Sequence, residues 1–152
     1  MIRVLIVEDQ KIMQKYFEYL IENNKEEFQH VQTIADAYEA IKICSKTRVD
    51  LVLMDVQTFH NHDGLKAGKE IKEAHPKIKV LIVTSLIDPE VLARAKSGSA
   101  DSLWYKDHGE EEILEVIRRT LEGQRVFPDI SPDVQLNCIQ SDEISPRQLE
   151  ML

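Results

Sequence analysis

Between Ile2 and Leu121, short apolar runs of strand length alternate with longer segments whose apolar residues recur at helical spacing. Few folds accept such a chain. A strand that is apolar at every position must be covered on both faces, and helices returning between successive strands provide that cover, so the pattern predicts repeated βα units around a parallel sheet. Five pairs are legible. The strands are Ile2 to Val7, a weaker one near Gln29 to Ile34, Leu51 to Met54, Val80 to Val83, and Leu103 to Tyr105. The first helix, from about Gln10 to Glu22, would turn Ile12, Met13, Tyr16, Phe17 and Leu20 to one face. The second carries Ala37, Ala40, Ile41 and Cys44. The third follows Gly64, with Leu65, Gly68 and Ile71 inward, and stops before Pro76. Asp88 and Pro89 supply a cap and a first helical residue for a fourth helix running to about Lys96. Asp107 and Glu110 stand at capping-box-like spacing before a fifth, which Gly123 closes.

After Gly123 the periodicity ends. Pro128, Ser131, Pro132 and Ser141 to Glu143 mark a linker, with room for one short helix over 132–138. The last residues, from Ser145 to Leu152, read as a cap, a proline and a first helical turn whose apolar face has no partner. The expected organisation is one domain over 1–122, a linker over 123–143, and the start of a further, truncated domain over 144–152.

Composition narrows the function. Asp and Glu outnumber Lys and Arg 27 to 19, leaving −8, so a polyanion such as DNA is repelled by these residues as a whole. Cys44 and Cys138 are the only cysteines, too few for a disulfide framework and in no metal-binding spacing. No apolar run approaches the ~18 residues of a membrane span, and the first residues lack a cleavage-like stretch, so a cytoplasmic protein without membrane contact is expected.

Open parallel sheets bind ligands beyond the carboxyl ends of their strands. Here strand 1 ends in Glu8 and Asp9, strand 3 in Asp55, strand 4 in Thr84 and Ser85, and strand 5 in Lys106. Each alone has a plainer reading: a lone acid after a strand is commonly a helix cap, and Thr is an ordinary strand former. Delivered to one edge together they make a pocket. Three carboxylates and one ammonium leave a formal excess of two negative charges, which a hard divalent ion such as Mg²⁺ would cancel. One carboxylate could then attack a phosphoryl group while Lys106 and the Thr84 hydroxyl face its oxygens. No glycine-rich phosphate loop accompanies them.

The segments VLIVEDQ, VDLVLMDV, VLIVTS and ADSLWYKD, in this order and at these separations, resemble the receiver domain of bacterial two-component response regulators over about Met1 to Gly123. The resemblance implies a flavodoxin-like, doubly wound (βα)5 receiver fold, an α/β architecture with a five-stranded parallel sheet in order 2-1-3-4-5. It further implies that Asp55 accepts a phosphoryl group from a sensor histidine kinase. Asp9, Asp55 and the backbone carbonyl of Gln57 would hold Mg²⁺, Glu8 would act there largely through water, and Thr84 and Lys106 would contact the phosphoryl group. The segment ISPRQLEML resembles the opening of the helix-turn-helix output domain of the NarL/FixJ (LuxR-type) regulators, so DNA would be bound only through residues beyond Leu152. A phosphorylation-dependent homodimer through helices 1, 4 and 5 is the expected response.

The chain departs from the family in two places. Leu103 stands three residues before Lys106, where the family has its switch aromatic, with Trp104 and Tyr105 following. Phe59 stands four residues after Asp55, where the family usually has proline, and the loop TFHNHDG is one residue longer than the common form. These departures motivate one rival reading, a pseudo-receiver acting only by protein contact. A second rival is a Mg²⁺-dependent phosphatase, which Gln57 disfavours by standing where a paired general acid would be needed. His60 and His62 could ligate a metal but lack a third ligand in the sequence nearby.

Overall fold

The computed structural model describes residues 1–106 and 110–128, without the side chains of 110 and 111. Its strands are β1 (Ile2–Val7), β2 (Phe28–Ile34), β3 (Leu51–Met54), β4 (Lys79–Thr84) and β5 (Ser102–Tyr105). They form a single parallel sheet in the order β2-β1-β3-β4-β5, as expected. The helices are α1 (Lys11–Glu22), α2 (Ala37–Lys46), α3 (Gly64–Ala74), α4 (Pro89–Arg94) and α5 (Glu110–Leu121).

The sheet divides the core in two because strand side chains alternate between faces. Val4 and Ile6 of β1, with Leu51 and Leu53 of β3, pack with Phe17, Leu20 and Ile21 of α1 and Ile113 and Ile117 of α5. Leu5, Val7, Val52 and Met54 point the other way, onto Ala40 of α2, Leu65 and Ile71 of α3, and Leu92 of α4. Both faces of β1 and β3 are therefore covered, which is why these strands read as apolar throughout. Each large side chain buried in this way contributes about 1.5–3 kcal/mol.

Three local readings change. Ile12 is 78% exposed, not on the inner face of α1, whose buried positions are Phe17, Leu20 and Ile21. The helix is capped at Gln10 without a side-chain hydrogen bond, so neither Glu8 nor Asp9 is its cap. The fourth helix is regular only to Arg94 and then widens into a π turn over Ala95–Ser99, where Gly98 takes φ 132°, a value L side chains rarely adopt. Asp88 caps α4 as expected, its carboxylate accepting from the Glu90 N–H at 2.9 Å. Trp104 and Tyr105 are both core, on opposite faces of β5, and Leu103 shares the face of Tyr105. The proposed cap at Asp107, the short helix over 132–138, Cys138 and the ISPRQLEML segment lie outside the described residues.

Residues 124–127 run beside β5. The Leu103 N–H donates to Val126 O at 3.0 Å, and the Val126 N–H donates to Ser102 Oγ at 3.0 Å. The outer edge of the sheet is thus partly paired.

Candidate functional site: an acidic cleft at the carboxyl edge of the sheet

Strand register assembles the site. Val7 of β1 pairs with Met54 of β3, so Glu8 and Asp55 leave the sheet side by side, and the Asp55 N–H donates to Val7 O at 3.0 Å. Thr84 pairs with Tyr105, so Lys106 follows directly, its N–H donating to Thr84 O at 2.9 Å. Asp9, Asp55, Gln57, Thr84 and Lys106 line one cleft of about 220 Å³. The strand-end residues and Gln57 are brought to this edge, with Glu8 fully buried beside it, while His60 and His62 stand apart from the acids.

Carboxylate oxygens of Glu8, Asp9 and Asp55 lie within 4.8 Å of one another. Lys106 Nζ lies 2.8 Å from Glu8 Oε1 and 3.3 Å from Asp55 Oδ2, so one ammonium bridges two acids. Glu8 Oε2 accepts from the Gln10 N–H at 3.1 Å, and Asp55 Oδ1 accepts from the Val56 N–H at 2.8 Å. These contacts only partly offset the crowding. Burial, and then the negative charge of Glu8, push the Asp55 carboxyl up to about 7, against the pull of Lys106 and the Val56 N–H. The donor set is entirely oxygen, with one exposed member and two buried ones, which fits a hard, partly hydrated divalent ion better than zinc. Thr84 is buried, and its Oγ1 accepts from the Leu86 N–H at 2.9 Å, bending the chain after β4 around the cleft.

Gly64 keeps the cleft in shape. A Cβ there would overlap the Asp55 backbone carbonyl, so the start of α3 can approach the end of β3 only with glycine at this position. Asp63 caps α3 through its Oδ1 and receives Arg94 Nη2 on its Oδ2 at 2.7 Å, tying α4 to the same loop.

Sequence reasoning missed Asp36, Tyr38 and Thr58, which hold the loop after Asp55. Thr58 is buried although it sits in a loop, a placement visible only in three dimensions. His60 and His62 are not joined by a third ligand: among the described residues, the three acids are the one cluster that could hold a metal. A larger groove of about 730 Å³ lies away from the acids, at the edge formed by α1 and β2, where charged residues such as Lys15, Glu22 and Lys25 mix with Tyr19, Ile21 and Phe28.

A doubly wound parallel sheet with paired acids, a hydroxyl and a lysine at its carboxyl edge defines a receiver-type protein. The chain belongs to the response regulator receiver domain family, whose sequence profile it matches over residues 4–118. It is 32% identical over 126 residues to the response regulator protein VraR of Staphylococcus epidermidis, a match covering 83% of this chain and 59% of that protein. It is 28% identical over 130 residues to the transcriptional regulatory protein YxjL of Bacillus subtilis, covering 86% of this chain and 59% of that one. Among solved structures it is similar to a LuxR-family two-component response regulator from Aurantimonas sp. SI85-9A1, with a TM-score of 0.76 at 25% identity, covering 91% and 95% of the two chains. The fold is also that of a CheY-like receiver from Methanospirillum hungatei, with a TM-score of 0.73 at 21% identity, covering 82% and 96%. The chain thus spans 59% of the length of the curated relatives named here. Its family is one of signalling switches rather than of enzymes. Among the described residues no helix is long and apolar enough to cross a membrane.

Proposed function

We propose that the chain is a phosphoacceptor switch in which Asp55 takes a phosphoryl group from the phosphohistidine of a sensor kinase. The observation that carries this reading is the bridge of Lys106 between Glu8 and Asp55, inside a cleft that also holds Asp9 and Thr84. A carboxylate oxygen of Asp55 would attack phosphorus as the N–P bond to the histidine ring breaks, the bonding pair leaving with the imidazole. Asp9, Asp55 and the Gln57 carbonyl would hold Mg²⁺, with Glu8 behind them. When bound, the ion supplies positive charge at the transferring oxygens. Lys106 neutralises a further oxygen from the opposite wall, and Thr84 offers its hydroxyl to the new phosphoryl group.

Phosphorylation replaces one carboxylate charge by about two. The added charge would draw Thr84 and Lys106 inward, and because Thr84 Oγ1 holds the Leu86 N–H, the connection to α4 would move with it. Residues 1–122 would be the receiver, 123–143 the linker, and 144–152 the first turn of a helix-turn-helix output domain. The functional consequences would be kinase docking, cytoplasmic signalling, homodimerisation, and transcription control through DNA contacts made only by that output domain.

Incubation with acetyl phosphate and Mg²⁺ tests the site. The expected result is a mass gain of one phosphoryl group that Asp55→Ala abolishes; equal labelling of the variant would overturn the assignment. A wild-type chain that stays unlabelled would favour the pseudo-receiver, and multiple turnover of small phosphate esters would favour the phosphatase.

A further inference from the structure

The loop between β3 and α3 carries Gln57 and is closed on itself and fastened to a neighbour. Within the loop, Gln57 bridges Asp63, and the Gly64 N–H donates to Val56 O at 2.7 Å. Thr58 donates twice to His62 O, from its N–H at 3.1 Å and from Oγ1 at 2.8 Å. The tip, His60 and Asn61, takes φ of 63° and 58°, the left-handed region that non-glycine residues occupy at a cost. A turn strained in this way must be held by something.

The turn between β2 and α2 does so. The Phe59 N–H donates to Ala35 O at 2.9 Å, and the Ala37 N–H donates to Thr58 Oγ1 at 3.0 Å. His62 Nδ1 lies 2.6 Å from Asp36 Oδ1; a carboxylate has no proton to give, so the ring nitrogen is the donor. The His62 ring also stacks on Tyr38, with centroids 4.0 Å apart and planes 15° from parallel. Asp36 meanwhile caps α2 through the Tyr38 N–H at 2.9 Å, which keeps its carboxylate aimed at the loop.

We infer that His62, gripped by Asp36 and Tyr38, is a positioning residue that holds the Gln57 carbonyl at the acidic cleft and so sets the affinity of that cleft for a divalent cation. His62 touches none of the three acids. Its effect passes through the Thr58 clasp to the adjoining Gln57, and the segment joining β2 to α2 becomes a control point for the site. The inference rests on reading the cleft as a divalent-metal site.

Calorimetric titration of the full 152-residue chain with Mg²⁺ alone, beside thermal melting, tests it. His62→Ala should weaken Mg²⁺ binding by about tenfold, the scale seen when a partner behind a metal ligand is removed. His62→Asn places an amide N–H where Nδ1 stands and should recover most of the affinity without the stack. His62→Phe keeps the stack and much of the melting temperature but should bind as weakly as the alanine variant. Affinity would then follow the hydrogen-bond donor rather than stability. Wild-type affinity in the alanine variant, or affinity that follows melting temperature across the three, would overturn the inference, as would a wild-type chain that binds no Mg²⁺. A wild-type chain that binds Mg²⁺ in this donor-dependent way yet takes no phosphoryl group would refute the acceptor function and leave the positioning role standing.

Discussion

Replacing Asp55 with Asn should stabilise the protein, and by an amount that depends on pH. The Asp55 carboxyl is held at about 7 in the fold, against 3.8 unperturbed, because burial and the charge of Glu8 both oppose its ionisation. A group whose folded pKa is raised favours the folded state while protonated, so its contribution is fully present below about 4 and is lost as pH rises through about 7. At about 1.36 kcal/mol per pKa unit, the ionised carboxylate costs on the order of 4 kcal/mol near pH 8. Near pH 5 the same linkage leaves a smaller cost, on the order of 2 kcal/mol, since the unfolded chain is ionised by then and the folded one is not. Asn keeps the shape and an oxygen for the Val56 N–H, and Lys106 keeps its 2.8 Å contact with Glu8. Urea unfolding of both proteins in metal-free buffer should therefore show Asp55→Asn ahead by up to about 4 kcal/mol near pH 8 and by roughly half as much near pH 5. Mg²⁺ at ten times its dissociation constant should add about 1.4 kcal/mol to the wild type and much less to the variant. An equal gain at both pH values, or none, would refute the claim that Asp55 is a crowded, destabilising carboxylate.

Other perturbations follow from single contacts. Lys106→Met leaves Glu8 buried without its counter-ion and should lower stability by about 3 kcal/mol near pH 8 in the same unfolding assay. Gly64→Ala forces the start of α3 away from the Asp55 carbonyl, and should cost about 1–3 kcal/mol while weakening Mg²⁺ binding measured by calorimetry. Ser102→Ala removes a 2.6 Å buried contact with Thr120 and the acceptor for the Val126 N–H; a loss of about 1–3 kcal/mol and faster exchange of the Val126 amide are expected. Burial pushes the Cys44 thiol up to about 11, so thiol reagents near pH 8 should spare it in the native protein and modify it on unfolding, as peptide mass mapping would show.

Two kinds of information separate in this molecule. The strands and most helix boundaries were readable from the chain because their signals are local: apolar runs for strands covered on both faces, 3.6-residue recurrence for helices, Asp88 and Pro89 for a helix start. The acids and Lys106 were readable as a set for the same reason, since strand ends in a parallel sheet share one edge. Local pattern failed where a side chain's neighbours come from distant segments. Ile12 fits the apolar stripe of α1, yet the helix packs through Phe17, Leu20 and Ile21 and leaves it in solvent. Trp104 and Tyr105 are both buried because β5 has a packed cluster on each face, Trp104 joining Ile113 and Ile117 of α5 and Tyr105 joining Leu92 of α4, which strand alternation alone does not reveal. His62 showed only a weak metal-ligand signal in the sequence because its partners, Asp36 and Tyr38, stand 26 and 24 positions earlier.

The electrostatics divide in the same way. The excess of acid belongs to composition, and the placement of Glu8, Asp9 and Asp55 at strand ends belongs to sequence order. That one lysine bridges two of these acids, that the Asp55 carboxyl is held up at about 7, and that the loop after Asp55 is pinned to the turn before α2 were decided by the assembled fold. Desolvation and charge proximity have no value until the sheet and its helices exclude water from the cleft.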